Sequence, residues 1–339
     1  MSVKRVMAME PFDGLDTQYQ GIVDAGHEVV VGPYVSEKDK IYPKEDVIRF
    51  GNEFDVILGL GREKMTREII EQSDRICAIG KCGAGYDHID AQAATDKGIL
   101  VLTTPGMNSI EVAEYAVAMM MALLKKIPYA DRRVRELYWR DTPTIGHGVY
   151  EKTVGICGFG DIGRRVAERL QGWGCKLLAY DPYMDEEKMN SFGLKVTKAD
   201  WDTLFTQSDI ITLHMPLTEE TRDSIGEREF RMMKRTAVIV NTARGRIIHK
   251  DSLVAALKNG EIAGAALDTH YNEPITGTYE LLSVYENVIL TPHLGGYAYP
   301  ALARMSYRMC EYVNMVLAGN VPPRVANPEA IPLWKKRFG

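Results

Sequence analysis

The sequence predicts an α/β protein of two domains, each built on a parallel sheet. Short apolar runs alternate with helical periodicities along most of the 339 residues, which is the pattern of β-α-β units. Polar and glycine-rich clusters fall directly after those apolar runs, at what would be strand carboxyl ends. The length exceeds what one hydrophobic core ordinarily organises, so two domains is the natural count.

Composition narrows the function classes. Hydrophobic residues make up 45% and charged residues 26% of the chain, as in a soluble globular protein. Lys and Arg number 41 against 46 Asp and Glu, a net charge of −5 with no basic run. That argues against nucleic acid and anionic membrane as partners. The opening MSVKRVMAMEPF has no apolar core long enough for a signal peptide. The most apolar helical stretch, residues 117–124, is too short to span a bilayer and follows Glu114. The five cysteines are odd in number, lack C-x-x-C spacing and mostly adjoin apolar strands, as small core residues do. A cytoplasmic protein without disulfides is the expectation. No His/Cys/carboxylate set has zinc-like spacing, so no metal is expected.

In chain order, residues 5–9, 28–31, 55–58, 75–79 and 99–102 read as strands, and 15–25, 66–72 and 91–97 as helices. Two loops here stand out. Gly83-Ala84-Gly85-Tyr86-Asp87 can turn backbone amides toward an anion, although the same residues also make a sharp turn into the next helix. Gly59-Leu60-Gly61-Arg62 sets a cation at a strand end, where an arginine can equally be solvated surface. A long helix follows Thr104-Pro105-Gly106, with Asn108 and Glu111 as a capping box and Val112, Ala116, Met119, Met120 and Leu123 as its apolar face. The Thr-Pro-Gly loop reads as a hinge, placing the domain boundary near residue 105.

The second domain opens with the apolar run Val154-Gly155-Ile156-Cys157, then Gly158-Phe159-Gly160-Asp161-Ile162-Gly163, a G-x-G-x-x-G. A helix and a second apolar run follow, ending in Asp181, 18 residues after Gly163. Gly158 permits the tight turn, Gly160 lets the backbone approach a pyrophosphate, and Gly163 packs helix on strand. The helix start at Asp161 and Ile162 supplies amides and positive dipole, and Asp181 can take ribose hydroxyls. The unit implies a Rossmann-like dinucleotide site. Asp181 without a following arginine favours NAD (NADH) over NADP.

Further strands end in polar clusters: His214-Met215-Pro216-Leu217-Thr218, Asn241-Thr242-Ala243-Arg244-Gly245, Asp268 with Glu273-Pro274 after it, and Thr291-Pro292-His293-Leu294-Gly295-Gly296. Open α/β sheets bind ligands at such ends, so His214, Pro216, Thr242 and Ala243 join the candidate nucleotide set. A nicotinamide enzyme acting on a carbonyl needs a cation, a proton donor and a group that tunes the donor. Arg244 suits the first, since guanidinium engages a carboxylate through two hydrogen bonds. His293 suits the second, because imidazole titrates near neutrality. Glu273 suits the third, bonded to the other ring nitrogen. The last long helix, from Ala298, and a final helix after Val321-Pro322-Pro323 have no strand of their own, and a return to the first domain would make that domain discontinuous.

These motifs together resemble the D-isomer-specific 2-hydroxyacid dehydrogenases over nearly the whole length. GFGDIG with AYDP, LHMPLT, NTARG, the GAALD-to-NEP segment and TPHLGG carry the resemblance, with 29 residues from Arg244 to Glu273 and 20 more to His293. It implies two Rossmann-like/flavodoxin-like parallel-sheet domains with an active-site cleft between them, a substrate-binding domain of 1–105 plus 296–339, and an NAD-binding domain of 106–295. It implies that Arg244 binds and polarises a small 2-oxo acid, His293 is the acid/base and Glu273 supports it. Asp268 would lie near the nicotinamide, and the Ala84 and Gly85 amides would take the substrate carboxylate. A homodimer is implied as well. Arg62 hints at a second polar group on the substrate. The sequence departs from the family at Ile248-His249, at Thr269-His270 where Val-Phe is common, and at His88 in place of Asn; His270 could alter the pocket. Glu273 speaks against formate chemistry, where glutamine is expected. A non-catalytic NAD(H)-sensing corepressor and a phosphite-type dehydrogenase on the same fold are the alternatives.

Overall fold

A computed structural model describes residues 3–12, 14–33, 42–59, 61–140, 142–275, 281 and 287–339. By internal contacts the chain divides into two units, Met1–Asn108 with Ala298–Gly339, and Ser109–Tyr297. The first holds strands β1 (Arg5–Ala8), β2 (Glu28–Val31), β3 (Val56–Gly59), β4 (Ala78–Lys81) and β5 (Leu100–Thr103). They form one parallel sheet in the order β2-β1-β3-β4-β5, which reverses direction between β1 and β3. Its N-terminal helices are α1 (Gln20–Val23), α2 (Lys44–Glu53), α3 (Arg67–Glu71) and α4 (Ala91–Lys97).

Two elements differ from the sequence pattern for local reasons. The helix expected over 15–25 shrinks to α1, because the preceding residues close as tight turns, with the Gln18 amide donating to Leu15 O and the Gln20 amide to Thr17 O. Asp16 and Thr17 are residue types whose side chains compete with helix bonding. The apolar pattern does not announce α2, whose sequence KEDVIRFGNE buries only Val47, Phe50 and Gly51. Leu60, in the loop after β3, lies outside the described residues.

The second unit contains β6 (Thr153–Cys157), β7 (Lys176–Tyr180), β8 (Thr197–Lys198), β9 (Ile210–Leu213), β10 (Val238–Asn241), β11 (Gly264–Leu267) and β12 (Val288–Leu290). Their order is β12-β11-β10-β9-β6-β7-β8, all parallel, with the reversal between β6 and β9. That is the doubly wound dinucleotide-fold order with one strand added. Helices α5 (Ser109–Leu124), α6 (Ile127–Arg135), α7 (Asp161–Leu170), α8 (Glu186–Asn190), α9 (Trp201–Gln207), α10 (Glu227–Met232) and α11 (Lys250–Lys258) complete it. Strands β9, β10 and β11 are buried at every position, because helices cover both faces of the sheet. Met120 of α5 and Val166 of α7 join Val154 and Ile156 in one core, while Phe205, Phe230 and Leu253 fill the other.

The chain then returns to the first unit. In α12 (Tyr299–Leu317), Leu302, Met305, Met309 and Val313 are buried, and the helix packs on α1, β4 and β5. In α13 (Ile331–Phe338), Trp334 is fully buried and its indole N–H donates to Cys77 O at 3.0 Å. Asn327 fixes the link between them, donating to Ile99 O and accepting from the Val101 amide. The first unit is thus assembled from both ends of the chain. All five cysteines are free. Among the described residues no helix is long and apolar enough to cross a membrane.

Candidate active site

The glycine turn after β6 takes the form its residues require. Gly158 has φ +89°, and a Cβ there would stand 2.7 Å from the Met215 amide nitrogen, so only glycine fits between the ends of β6 and β9. A Cβ on Gly163 would lie 2.1 Å from Gly158 O, which is the close helix–strand contact. Gly160, the N-cap of α7, has no heavy atom within 4 Å of where a Cβ would be. A side chain would fill that space, and the first amides of a ten-residue helix, including those of Asp161, Ile162 and Gly163, begin beside it. Asp181, at the end of β7, accepts the Phe159 amide on one carboxylate oxygen and the Tyr183 amide on the other, each at 2.9 Å. An ionised carboxylate has about four acceptor sites, so capacity for hydroxyl donors remains.

Among the described residues, the buried polar atoms without partners on this same side of the sheet include His214 Nδ1 after β9 and Thr242 Oγ1 after β10. Burial pushes His214 down to about 3, so its ring is neutral, with Nε2 2.9 Å from Thr212 Oγ1. Orphaned polar atoms beside an open glycine cradle fit a dinucleotide lying across the carboxyl ends of β6, β9 and β10. Pro216 is exposed in the loop after β9, and Ala243 accepts through its carbonyl from Arg244 Nη1 at 2.7 Å.

The loops after the neighbouring strands β10, β11 and β12 interlock. Asn241, fully buried, donates to Arg244 O and accepts from the Ala243 amide, both at 2.9 Å, and so sets the backbone that carries Arg244. A Cβ on Gly245 would stand 2.0 Å from the His270 carbonyl carbon, so the Arg244 loop lies directly against the loop after β11. Arg246 strengthens that seam through Tyr271 O at 3.0 Å and Asn272 Oδ1 at 3.2 Å. His293 Nδ1 is 2.7 Å from Glu273 Oε2. With a carboxylate as acceptor, Nδ1 carries the hydrogen and Nε2 is the ring atom left for other chemistry. Burial alone would raise the Glu273 carboxyl, but the His293 bond and charge, with the His270 amide, hold it below its ordinary value. The pair is still open to solvent, with 47% of the His293 and 37% of the Glu273 side chain exposed.

Asp268 does something the sequence did not suggest. It is 1% exposed, and its carboxylate accepts from Thr291 Oγ1 (2.6 Å), the Leu294 amide (2.8 Å) and the Gly295 amide (2.8 Å). Its carbonyl accepts from the His293 amide at 2.8 Å. These bonds hold His293 at φ +58°, a left-handed conformation uncommon for a residue with a side chain. Asp268 therefore anchors the turn that presents His293. The nearest sequence signal was its place at a strand end, which does not distinguish an anchor from a ligand contact.

The remaining candidates lie in the first unit. Gly83, at φ +122°, is tied by its amide to Thr104 Oγ1 at 2.7 Å, which sets the turn carrying Ala84 and Gly85 after β4. Arg62 is no solvated surface cation. Its side chain is 13% exposed, lies 3.5 Å from Glu10 Oε1 and donates to Pro33 O at 3.3 Å. Glu10, 1% exposed, also accepts the amides of Gly61 and Arg62 at 2.6 Å and of Glu63 at 3.2 Å. Burial, then the hydrogen bond and charge of Glu10, push Glu63 up to about 8.

Residues 117–295, which contain every candidate of the second unit, match the sequence profile of the D-isomer specific 2-hydroxyacid dehydrogenase, NAD binding domain. The chain belongs to the D-isomer-specific 2-hydroxyacid dehydrogenase family. It is 41% identical over 281 residues to a D-3-phosphoglycerate dehydrogenase of Synechocystis, covering 83% of this chain and 50% of that protein, so it spans about half the length of that relative. It is 36% identical over 299 residues to a glyoxylate reductase of Korarchaeum cryptofilum, covering 87% of this chain and 89% of that one. Among solved structures, the D-lactate dehydrogenase of Aquifex aeolicus complexed with NAD and lactic acid superposes with a TM-score of 0.80 at 27% identity, covering 97% of each chain. In this member of the family, the family's common Val-Phe after the aspartate is replaced by Thr269-His270, and both residues are buried.

Proposed function

We propose that this chain is an NAD-dependent D-2-hydroxyacid dehydrogenase, reversibly interconverting a small 2-oxo acid and its 2-hydroxy acid. The observation that carries the reading is the Glu273–His293 bond at 2.7 Å on loops interlocked with the one bearing Arg244. When bound, NADH would supply the hydride. Arg244 holds the substrate carboxylate and polarises the carbonyl. His293 Nε2 gives its proton to the substrate oxygen in reduction and takes it back in oxidation. Glu273, kept ionised, orients the ring through Nδ1 and stabilises the imidazolium. Gly158, Gly160, Gly163, Asp161 and Ile162 cradle the pyrophosphate, and Asp181 takes the ribose hydroxyls. Its carboxylate would repel a 2′-phosphate, so NADH is preferred over NADPH.

By the same reading the first unit serves the substrate, with the Ala84 and Gly85 amides on its carboxylate. Arg62, committed to Glu10, would act on specificity through the shape of its loop. We also propose a homodimer. Ile127, Val134, Leu137, Tyr138, Trp139 and Ile145 are exposed in and after α6, more apolar surface than one segment of a monomer ordinarily leaves uncovered. Sedimentation at micromolar concentration should give twice the chain mass.

The deciding assay follows NADH absorbance across glyoxylate, hydroxypyruvate, other 2-oxo acids and phosphite. Turnover of a 2-oxo acid, lowered at least about 100-fold by Arg244→Ala or His293→Ala in folded protein, supports the roles of both residues. NADH binding with no turnover would instead favour a sensor, and turnover of phosphite alone the other dehydrogenase chemistry.

A further inference from the structure

We propose that His270 is a positioning residue for the Glu273–His293 pair, an inference that rests on the dehydrogenase reading. His270 is 6% exposed and lies between the two segments that carry the pair. Its backbone N–H donates to Glu273 Oε1 at 2.8 Å, while Glu273 Oε2 is the oxygen that receives His293 Nδ1. Its ring Nε2 lies 2.8 Å from the Thr291 carbonyl oxygen. A carbonyl only accepts, so Nε2 carries a hydrogen and the imidazole is the donor. The same carbonyl accepts from the His293 amide at 3.0 Å, and the Thr291 hydroxyl donates to Asp268.

His270 therefore grips both halves of the pair. Its amide fixes the carboxylate, and its ring fixes the residue from which the His293 turn begins. An apolar residue of similar size would keep the first bond and fill the space, but would leave the Thr291 carbonyl without its ring donor. The Glu273 segment and the His293 turn each keep their other bonds, but one tie between them is lost, and the two can drift relative to each other. Drift of that kind acts on the oriented transition state more than on ligand affinity.

The test compares wild type, His270→Phe and His270→Gln with NADH and glyoxylate. His270→Phe should lower kcat about 10-fold while the KM for glyoxylate and the Kd for NADH stay within about twofold. Glutamine offers an amide N–H at about the reach of Nε2, so His270→Gln should recover kcat to within about threefold of wild type. Proton NMR gives a second readout, independent of turnover. The hydrogen-bonded Nδ1–H resonance of His293 should be present in wild type and His270→Gln and broadened or lost in His270→Phe. A wild-type kcat and an unchanged resonance in His270→Phe overturn the proposal, as does a glutamine variant as impaired as the phenylalanine one with NADH binding intact. If His270→Phe does not fold, His270→Leu, which also keeps the backbone amide and lacks a ring donor, takes its place with the same supporting and overturning outcomes. A wild type that turns over no 2-oxo acid sinks the dehydrogenase reading alone, and the resonance still tests the positioning role.

Discussion

At the point where strand order reverses, the first unit carries Glu10 and the second carries Gly160. Both sheets are parallel, and both reversals sit beside loops containing glycine. In the first unit the loop amides of Gly61, Arg62 and Glu63 turn onto a carboxylate of the chain itself, and the Arg62 side chain closes over it. In the second unit the helix amides of α7 begin beside Gly160, where the space a Cβ would take has no heavy atom within 4 Å. The same architecture thus satisfies its anion site internally in one case and leaves it open in the other. A doubly wound sheet creates the crevice, and the residues at its lip decide whether an external anion can enter.

Substitutions can break that contrast. Glu10→Ala removes the acceptor shared by three amides and the Arg62 cation, and should destabilise the first unit by about 3–5 kcal/mol, the cost of breaking a buried charge pair. A urea titration read by the Trp334 indole, buried in that unit, would show it; an unshifted midpoint would mean Glu10 is not the internal anion of that unit. Gly160→Val should weaken NADH binding about 100-fold, as the cradle fills, while melting stays as in wild type because no atom meets the new side chain. A normal NADH Kd would mean the open space is not the phosphate site. Gly163→Ala should cost about 1–3 kcal/mol, because its Cβ meets backbone rather than space. Differential scanning of the two glycine variants separates packing from binding.

A further effect is a pH dependence. Glu63 is held at about 8 in the folded chain against about 4.3 unfolded. Between those values the folded state binds the extra proton, so the stability Glu63 contributes is fully present below about 4.3 and is lost as pH rises toward about 8. Glu63→Gln should flatten this loss, gaining Tm over wild type progressively from pH 5 to pH 9. Parallel melting curves over that range would refute it.

Much of the second unit was legible from residues alone. The Gly158 to Asp181 stretch declares its turn because backbone torsion, helix dipole and strand-end carboxylate are local properties of neighbouring residues. Arg244, Glu273 and His293 could be nominated because guanidinium, carboxylate and imidazole are the groups carbonyl chemistry uses, each after an apolar run. Less could be read at α2, whose buried face is only three residues. Nor could spacing separate Asp268 as anchor from Asp268 as nicotinamide neighbour, since both readings put an acid at a strand end.

By itself, then, the sequence determined the parallel α/β class, the dinucleotide turn and the inventory of reactive groups. These depend on glycine torsions, apolar periodicity and side-chain chemistry, which act within a few residues. The tertiary structure alone decided which groups are spent on the protein's own backbone. Glu10 meets amides 51 to 53 residues away, and His270 meets the carbonyl 21 residues on, in the segment that turns His293. Whether a buried polar group is ligand, anchor or brace depends on the partner that strand pairing brings to it, and no local pattern encodes that partner.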